Sequence, residues 1–219
     1  MKKLIFLLAA FSLPAFLNAQ SFEKGDRIFD IDLGFAVYST NVKDNQDPSA
    51  PIKSGKAAGT ILAPAMEWAT GKRISIGISL LYSRYLSSKD SASGSKPTAS
   101  GLDADFIFNF HFVKSKRVDL FTGFKLGMAG FRLAPHDGTK NIYGSTGSAF
   151  DLHIGGRFYV SRRIGIIANL GFPHYTFSKF GNSLDQTYTL KFNGVCIGTG
   201  IAIKLGSKNT EGASSGGKK

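Results

Sequence analysis

The residues of this chain that could do chemistry are few and scattered. There are four histidines, His111, His136, His153 and His174, and a single cysteine, Cys196. Both residue types bind metals, but a site needs further ligands at suitable spacing, and no Cys/His run of that kind occurs. Cys196 has no neighbouring base to generate a thiolate and reads as a small wall residue. The stretch His174-Tyr175-Thr176, followed by Ser178 and Asp185, holds an imidazole, hydroxyls and a carboxylate, the side-chain types of a hydrolase triad. Its spacing is not distinctive. Gly155-Gly156 and Gly198-Thr199-Gly200 lie inside alternating apolar segments rather than in a phosphate-binding loop. The sequence therefore predicts no catalytic residue, no metal site and no cofactor.

What the charged residues do share is their phase. Asp30, Asp32, Glu67, Asp103, Asp105, Asp119 and Asp151 each sit next to an apolar residue, as do His111, Lys125, His153, Arg157 and Lys204. Alternation of this kind places polar groups on one face of a β-strand and apolar groups on the other. Eight segments carry it: Ile28–Thr40, Ala58–Ala69, Ile74–Tyr85, Leu102–Val113, Val118–Phe131, Ala149–Ser161, Ile164–Phe177 and Thr189–Leu205. The fourth is the clearest, with Leu102, Ala104, Phe106, Phe108, Phe110 and Phe112 opposite Asp103, Asp105, Asn109 and His111. Pro64 interrupts the second and marks a bulge or an irregular pairing, because proline donates no ladder hydrogen bond.

The connections alternate in length. Thr70–Arg73, Lys114–Arg117 and Ser161–Arg163 are tight turns; Asn41–Ala57, Ser87–Ser100, Arg132–Ser148 and Ser178–Tyr188 are long and polar. This predicts an all-β fold: an eight-stranded antiparallel up-and-down transmembrane β-barrel, with short periplasmic turns and long extracellular loops. A dozen residues at about 3.3 Å each, tilted by about 45°, are enough to cross a hydrocarbon core. A soluble barrel with a greasy interior is the competing reading. Against it, the polar face is built from Gly, Ser, Ala and Asp, which suit a narrow bore. The apolar face is Phe, Ile and Leu, with no charge expected on it in the seven clearer strands. Charged residues make up only 19% of the chain, against about 25% in ordinary soluble domains. The mean hydropathy of −0.02 does not reveal a membrane protein, because alternation averages it away. Charges facing a narrow tube must be paired or hydrated, so the twelve polar residues named above are expected to form a lumen network that fills the bore.

Residues 1–19 read as a signal peptide: Met1-Lys2-Lys3, an apolar run from Leu4 to Phe16, and Asn18-Ala19 before Gln20. Residues 20–27 are expected as a periplasmic N-terminal segment and 28–205 as the barrel. Residues 206–219 are expected as a disordered polar tail, too short for a cell-wall-binding domain. The formal charge is +12, and loss of Lys2 and Lys3 leaves about +10. Part of the excess lies in the tight turns, at Lys72, Arg73, Lys114, Lys116, Arg117, Arg162 and Arg163, where bases favour an anionic or phosphate-bearing membrane surface. A secreted barrel is a poor candidate for nucleic-acid binding.

The Phe-rich strand Phe106-Ile107-Phe108-Asn109-Phe110, the basic turns, the leader ending Asn18-Ala19-Gln20 and the strand Gly194-Val195-Cys196-Ile197-Gly198-Thr199-Gly200 resemble the small outer-membrane β-barrels of Gram-negative bacteria, the OmpA/OmpX-like or "porin family" barrels. The resemblance spans Ile28–Leu205. It implies an outer-membrane location with both termini periplasmic, contact with lipopolysaccharide, phospholipid and the barrel insertion machinery, and a monomeric state. Members of such a family serve as scaffolds, adhesins, narrow pores or enzymes. The expectation is therefore a non-enzymatic structural or surface-interaction role, with any extracellular ligand at the long loops. The alternatives are a narrow channel for small solutes and, third, a lipid A-modifying enzyme. One departure is the end of the last strand, Ile203-Lys204-Leu205, where the family usually carries a terminal aromatic residue.

Overall fold

Period-two alternation over eight segments leaves each strand with one face that water rejects, and the strands satisfy both edges by closing into a ring. A computed structural model describes residues 22–47, 49–86, 98–115, 117–134, 143–180 and 188–207. The expected leader, the loop residues 87–97, 135–142 and 181–187, Lys116 and the tail from residue 208 lie outside them. The strands are β1 (Asp26–Asp44), β2 (Lys53–Ala69), β3 (Ile74–Leu86), β4 (Thr98–Lys114), β5 (Val118–Ala134), β6 (Tyr143–Tyr159), β7 (Ile164–Phe180) and β8 (Tyr188–Ser207). They form one closed antiparallel barrel in sequence order, with β8 returning to β1. A ring of strands has no unpaired edge, which removes the template for aggregation that an open sheet carries.

The phase of each strand is the one expected. On β1, Ile31, Leu33, Phe35 and Val37 point outward while Asp30, Ala36 and Tyr38 are buried within. Leu33, Ile197 and Met128 expose 62%, 65% and 69% of their surface. Exposure of that extent, repeated around the whole ring, is an apolar band with no protein layer to cover it. The buried core is the inside of the tube.

The strands are longer than the alternation suggested, mostly 17 residues rather than a dozen. Seventeen residues cover about 56 Å along the strand and about 40 Å of height when tilted by about 45°, more than an apolar band about 25 Å tall requires. The added length is at the loop end, as in Lys53-Ser54-Gly55-Lys56 of β2 and Tyr143–Ser148 of β6. Backbone pairing continues there, but outward residues need no longer be apolar, so the alternation fades before the strand does. Arg84 follows the same logic. It lies outward near the loop end of β3, between Tyr82 and Leu86, and so corrects the expectation that this face carries no charge.

Two of the tight turns share a construction. Ser115 Oγ accepts from the Val118 amide at 3.0 Å, and Ser161 Oγ from the Ile164 amide at 3.0 Å. The Ser115 and Ser161 amides in turn donate to the Val118 and Ile164 carbonyls. These local bonds close the two turns. At Pro64 the β1 ladder is unbroken, with Ile31 opposite Pro64. The β2–β3 ladder pairs Leu62 with Tyr82 and resumes at Ala65 with Ser79, skipping the pairs between. The register is the same on both sides, so Pro64 opens a gap in the hydrogen bonding without a bulge. An apolar groove lined by Phe29, Pro64, Met66, Ile78, Leu80 and Phe106 lies outside this seam. Amide hydrogen exchange by mass spectrometry on the folded barrel checks the point: the Leu80 amide should exchange faster than those of Ile78 and Tyr82, and Pro64→Ala should slow it. Equal rates before and after the substitution would contradict it.

Candidate functional site: the filled lumen

Every lumen residue expected from the sequence points inward, but they do not form one network. They fall into layers stacked along the barrel. The layer nearest the turns is centred on Arg157, which is 1% exposed. Its Nη2 donates to Asp30 Oδ2 at 2.6 Å and to Glu67 Oε1; Nη1 donates to Asp119 Oδ2 at 3.1 Å. Nε lies 3.3 Å from Asp30 Oδ1. Three carboxylates from β1, β2 and β5 thus converge on one guanidinium from β6. Arginine suits this place because its planar fork offers five donors in fixed directions. The ring of Phe121 closes one face of the guanidinium, 4.4 Å from centroid to Cζ.

His111 extends the cluster. Its Nδ1 lies 2.7 Å from Asp119 Oδ1, and its Nε2 lies 3.0 Å from Ser75 Oγ, which donates its own proton to Glu67 Oε2 at 2.7 Å. Both ring nitrogens therefore face acceptors. Phe22 stacks on the imidazole, with centroids 3.6 Å apart and planes at 18°. The segment before β1, expected as a plain periplasmic lead-in, thus turns back and seats a phenylalanine in the mouth of the tube. The turn uses Gly25 at φ 91° and a bond from its amide to the Ala69 carbonyl at 2.8 Å. Beside it, Lys204 Nζ pairs with Asp26 Oδ2 at 3.0 Å.

The middle layer holds Asp32, Asp105, Lys125, Asp151 and His153 around a small cavity. Two cross-strand glycines make room for its side chains. Gly127 pairs with Asp105 and Gly155 with Asn169, and a Cβ at either position would fall against its partner's side-chain oxygen. Asp103 lies higher, hydrogen-bonded to Tyr175.

The layer nearest the loops is aromatic. Tyr38, Tyr85, Phe131, Tyr175, Phe177 and Phe192 pack with Leu190, Ile61 and Leu81. Tyr38 meets Phe192 edge-on at 5.6 Å, and Phe177 meets Phe192 at 5.9 Å and 86°. The sequence reading, which expected a polar bore throughout, missed this plug. The signal was present: these residues keep the inward phase inside the alternating segments, but the expectation of the filling rested on the charged inward residues alone. It also missed Asp26, Ser75, Asn109 and Asn169, each of which bonds one of the expected residues. Cys196 packs half-buried against the aromatic layer.

At the turn end, Lys72, Arg73, Arg162 and Arg163 are exposed and Arg117 is partly so. Lys114 ends β4, and Lys116 lies outside the described residues. A second set was not anticipated: Lys43, Lys56, Arg84, Arg132 and Lys191 point outward near the loop end. The described part of the candidate triad lies along β7. His174 faces outward and Tyr175 inward, Ser178 is about 13 Å further along the same strand, and Asp185 lies outside the described residues.

Removing Arg157 leaves three buried carboxylates without their shared cation. Arg157→Leu should destabilise the barrel by about 3–5 kcal/mol in urea unfolding from detergent micelles. Adding Asp30→Asn to that variant should recover part of the loss. A neutral effect of Arg157→Leu would show that the cluster is not what holds this layer.

No protein-family model matches this sequence, and comparison with curated proteins returns no relative. Comparison with solved structures finds the same architecture. The crystal structure of the outer membrane protein OprG from Pseudomonas aeruginosa aligns over 87% of this chain and 100% of its own, with a TM-score of 0.59 at 13% identity. The solid-state NMR structure of the outer membrane protein AlkL in lipid bilayers aligns over 84% of this chain and 92% of its own, with a TM-score of 0.52 at 11% identity. At such identities the likeness is one of fold: this chain is a closed eight-stranded antiparallel barrel of the kind seen in small outer-membrane proteins.

Proposed function

We propose that the protein is an outer-membrane barrel with a structural or surface-interaction role, and neither a channel nor an enzyme. The observation that carries this reading is the occupied bore. The Arg157 cluster with Phe22 fills one end and the aromatic layer the other. A solute would have to displace charged side chains that have no other partners, or a packed aromatic core.

The outer surface supports the membrane reading. An uncharged band separates two sets of bases: Lys43, Lys56, Arg84, Arg132 and Lys191 near the loops, and Lys72, Arg73, Arg117, Arg162 and Arg163 near the turns. Phosphate-bearing lipids on both leaflets fit this pattern, with lipopolysaccharide at the loop end and phospholipid at the periplasmic turn end. Each base near an anionic surface contributes about 1 kcal/mol. The barrel inserts as a monomer through the barrel insertion machinery, and the long loops are where an extracellular ligand would bind.

In planar lipid bilayers the refolded protein should give no steady open level; a large, stable conductance would favour the small-solute channel instead. In urea titrations in phospholipid vesicles, Leu126→Arg at mid-height should cost about 2–4 kcal/mol, while Arg84→Leu should cost far less. Equal costs would contradict the position assigned to the band.

A further inference from the structure

On the outer wall two arginines stand in one cross-strand row. Arg84 of β3 pairs with Ser100 of β4, and Ser100 pairs with Arg132 of β5. All three lie on the outward phase near the loop end. Two strand spacings set the arginine backbones about 10 Å apart, so both guanidinium groups can reach the space over Ser100. Among the described residues neither has a carboxylate within ion-pair distance. The outward phase of β3, β4 and β5 carries no acid there either. Two unpaired guanidiniums with a hydroxyl between them call for an anion that accepts from both.

Below this row the wall is apolar and hollowed. Successive outward residues toward mid-height are Tyr82, Leu80 and Ile78 on β3, and Leu102, Ala104 and Phe106 on β4. The groove at the Pro64 seam, of about 500 Å³, is walled in part by Leu80, Ile78, Ala104 and Phe106. Ligand pockets run to about 300–1,000 Å³. The groove thus lies on the same two strands as Arg84 and Ser100, and Leu80 is about 13 Å down β3 from Arg84. On β5, Gly130 pairs with Leu102 and offers no side chain. A Cβ at Gly130 would meet only the Leu102 carbonyl, 3.6 Å away. Gly130 and Ala104 therefore leave a shallow track from the arginine row to the groove.

We infer that this face binds one lipid A molecule, with a phosphate between Arg84 and Arg132 and an acyl chain along the track into the Pro64 groove. The inference rests on the loop end being the outer-leaflet side, as proposed above. A hydrocarbon occupant follows from the groove's place in the uncharged band, where no protein layer covers it. The choice of lipid follows from charge. A phosphomonoester carries about −1.5 to −2 at neutral pH and matches two guanidiniums, whereas the phosphodiester of a phospholipid is a monoanion. Lys43 and Lys191, on β1 and β8, provide the contrast: they line a hollow shared with Asp44, Asn41 and Asn45 rather than an apolar groove.

Binding to defined lipids is the test. The full chain, refolded into a non-ionic detergent, is titrated with phosphorylated lipid A, with dephosphorylated lipid A and with phosphatidylglycerol, and bound lipid is read by native mass spectrometry. One lipid A per barrel is expected, with the other two lipids weaker by about tenfold or more. Arg84→Gln with Arg132→Gln should bring lipid A down to the level of its dephosphorylated form. Ala104→Phe, which fills the track from the lipid side, should weaken lipid A severalfold while keeping the preference for phosphate. Lys43→Gln with Lys191→Gln should weaken it far less than the arginine pair. Heat-modified gel mobility confirms that each variant has closed. No lipid A on the wild-type barrel, equal binding of phosphatidylglycerol, unchanged binding in Ala104→Phe, or equal losses in the two double variants overturns the site. Equal losses would still leave both sets of bases facing phosphate, and the cost of Leu126→Arg in vesicles tests the membrane band independently.

Discussion

A tube of eight strands is too narrow to be left open to water and too wide to close on its backbone alone, so side chains must fill it. Any charge used as filling has to be neutralised within the tube, because neither bulk water nor the apolar exterior can do so. Arg157 meets that requirement for one end of the barrel. It takes hydrogen bonds to β1, β2 and β5 from a position on β6, tying together strands on different sides of the ring. A cluster that joins distant staves also fixes their relative height, since a register slip of one residue would turn every inward carboxylate outward.

The two ends are filled by different means. Near the turns the filling is ionic and specific; near the loops it is aromatic and works through packed area. The difference follows from which side chains each place can hold. A guanidinium with three carboxylates is satisfied only by fixed geometry, and the turns close through their own backbone and serine hydroxyls, leaving that geometry undisturbed. Rings packed edge-on tolerate small movements, which suits the end that carries the long loops. Between them, the middle layer combines neither solution completely and leaves a small cavity.

The exterior imposes the complementary condition. Outward residues at mid-height are apolar all round, and bases return above and below them. Arg84 is the exception to an uncharged outward face, and it stands near the loop end of β3 rather than at mid-height. The same fading of alternation hid the loop ends of β2, β4 and β6. Phe177 and Phe192 lie within the alternating segments on the inward phase of β7 and β8, but the layer they share forms only when the ring closes.

The sequence by itself determined what a period of two can determine: the number of strands, which face of each is greasy, which residues look inward, and the alternation of short and long connections. These are local properties, because the direction of a side chain on a strand depends only on its own backbone. Only the tertiary structure decided which inward residues meet. Arg157 and Asp30 are 127 positions apart, and Asn169 and Asp32 are 137 apart. Closure and the stagger between strands bring them together across the bore. That stagger is set by the whole ring of backbone pairings at once, so no single segment carries the information that Asp30 and Glu67 share a guanidinium while Asp32 and Asp105 face a cavity.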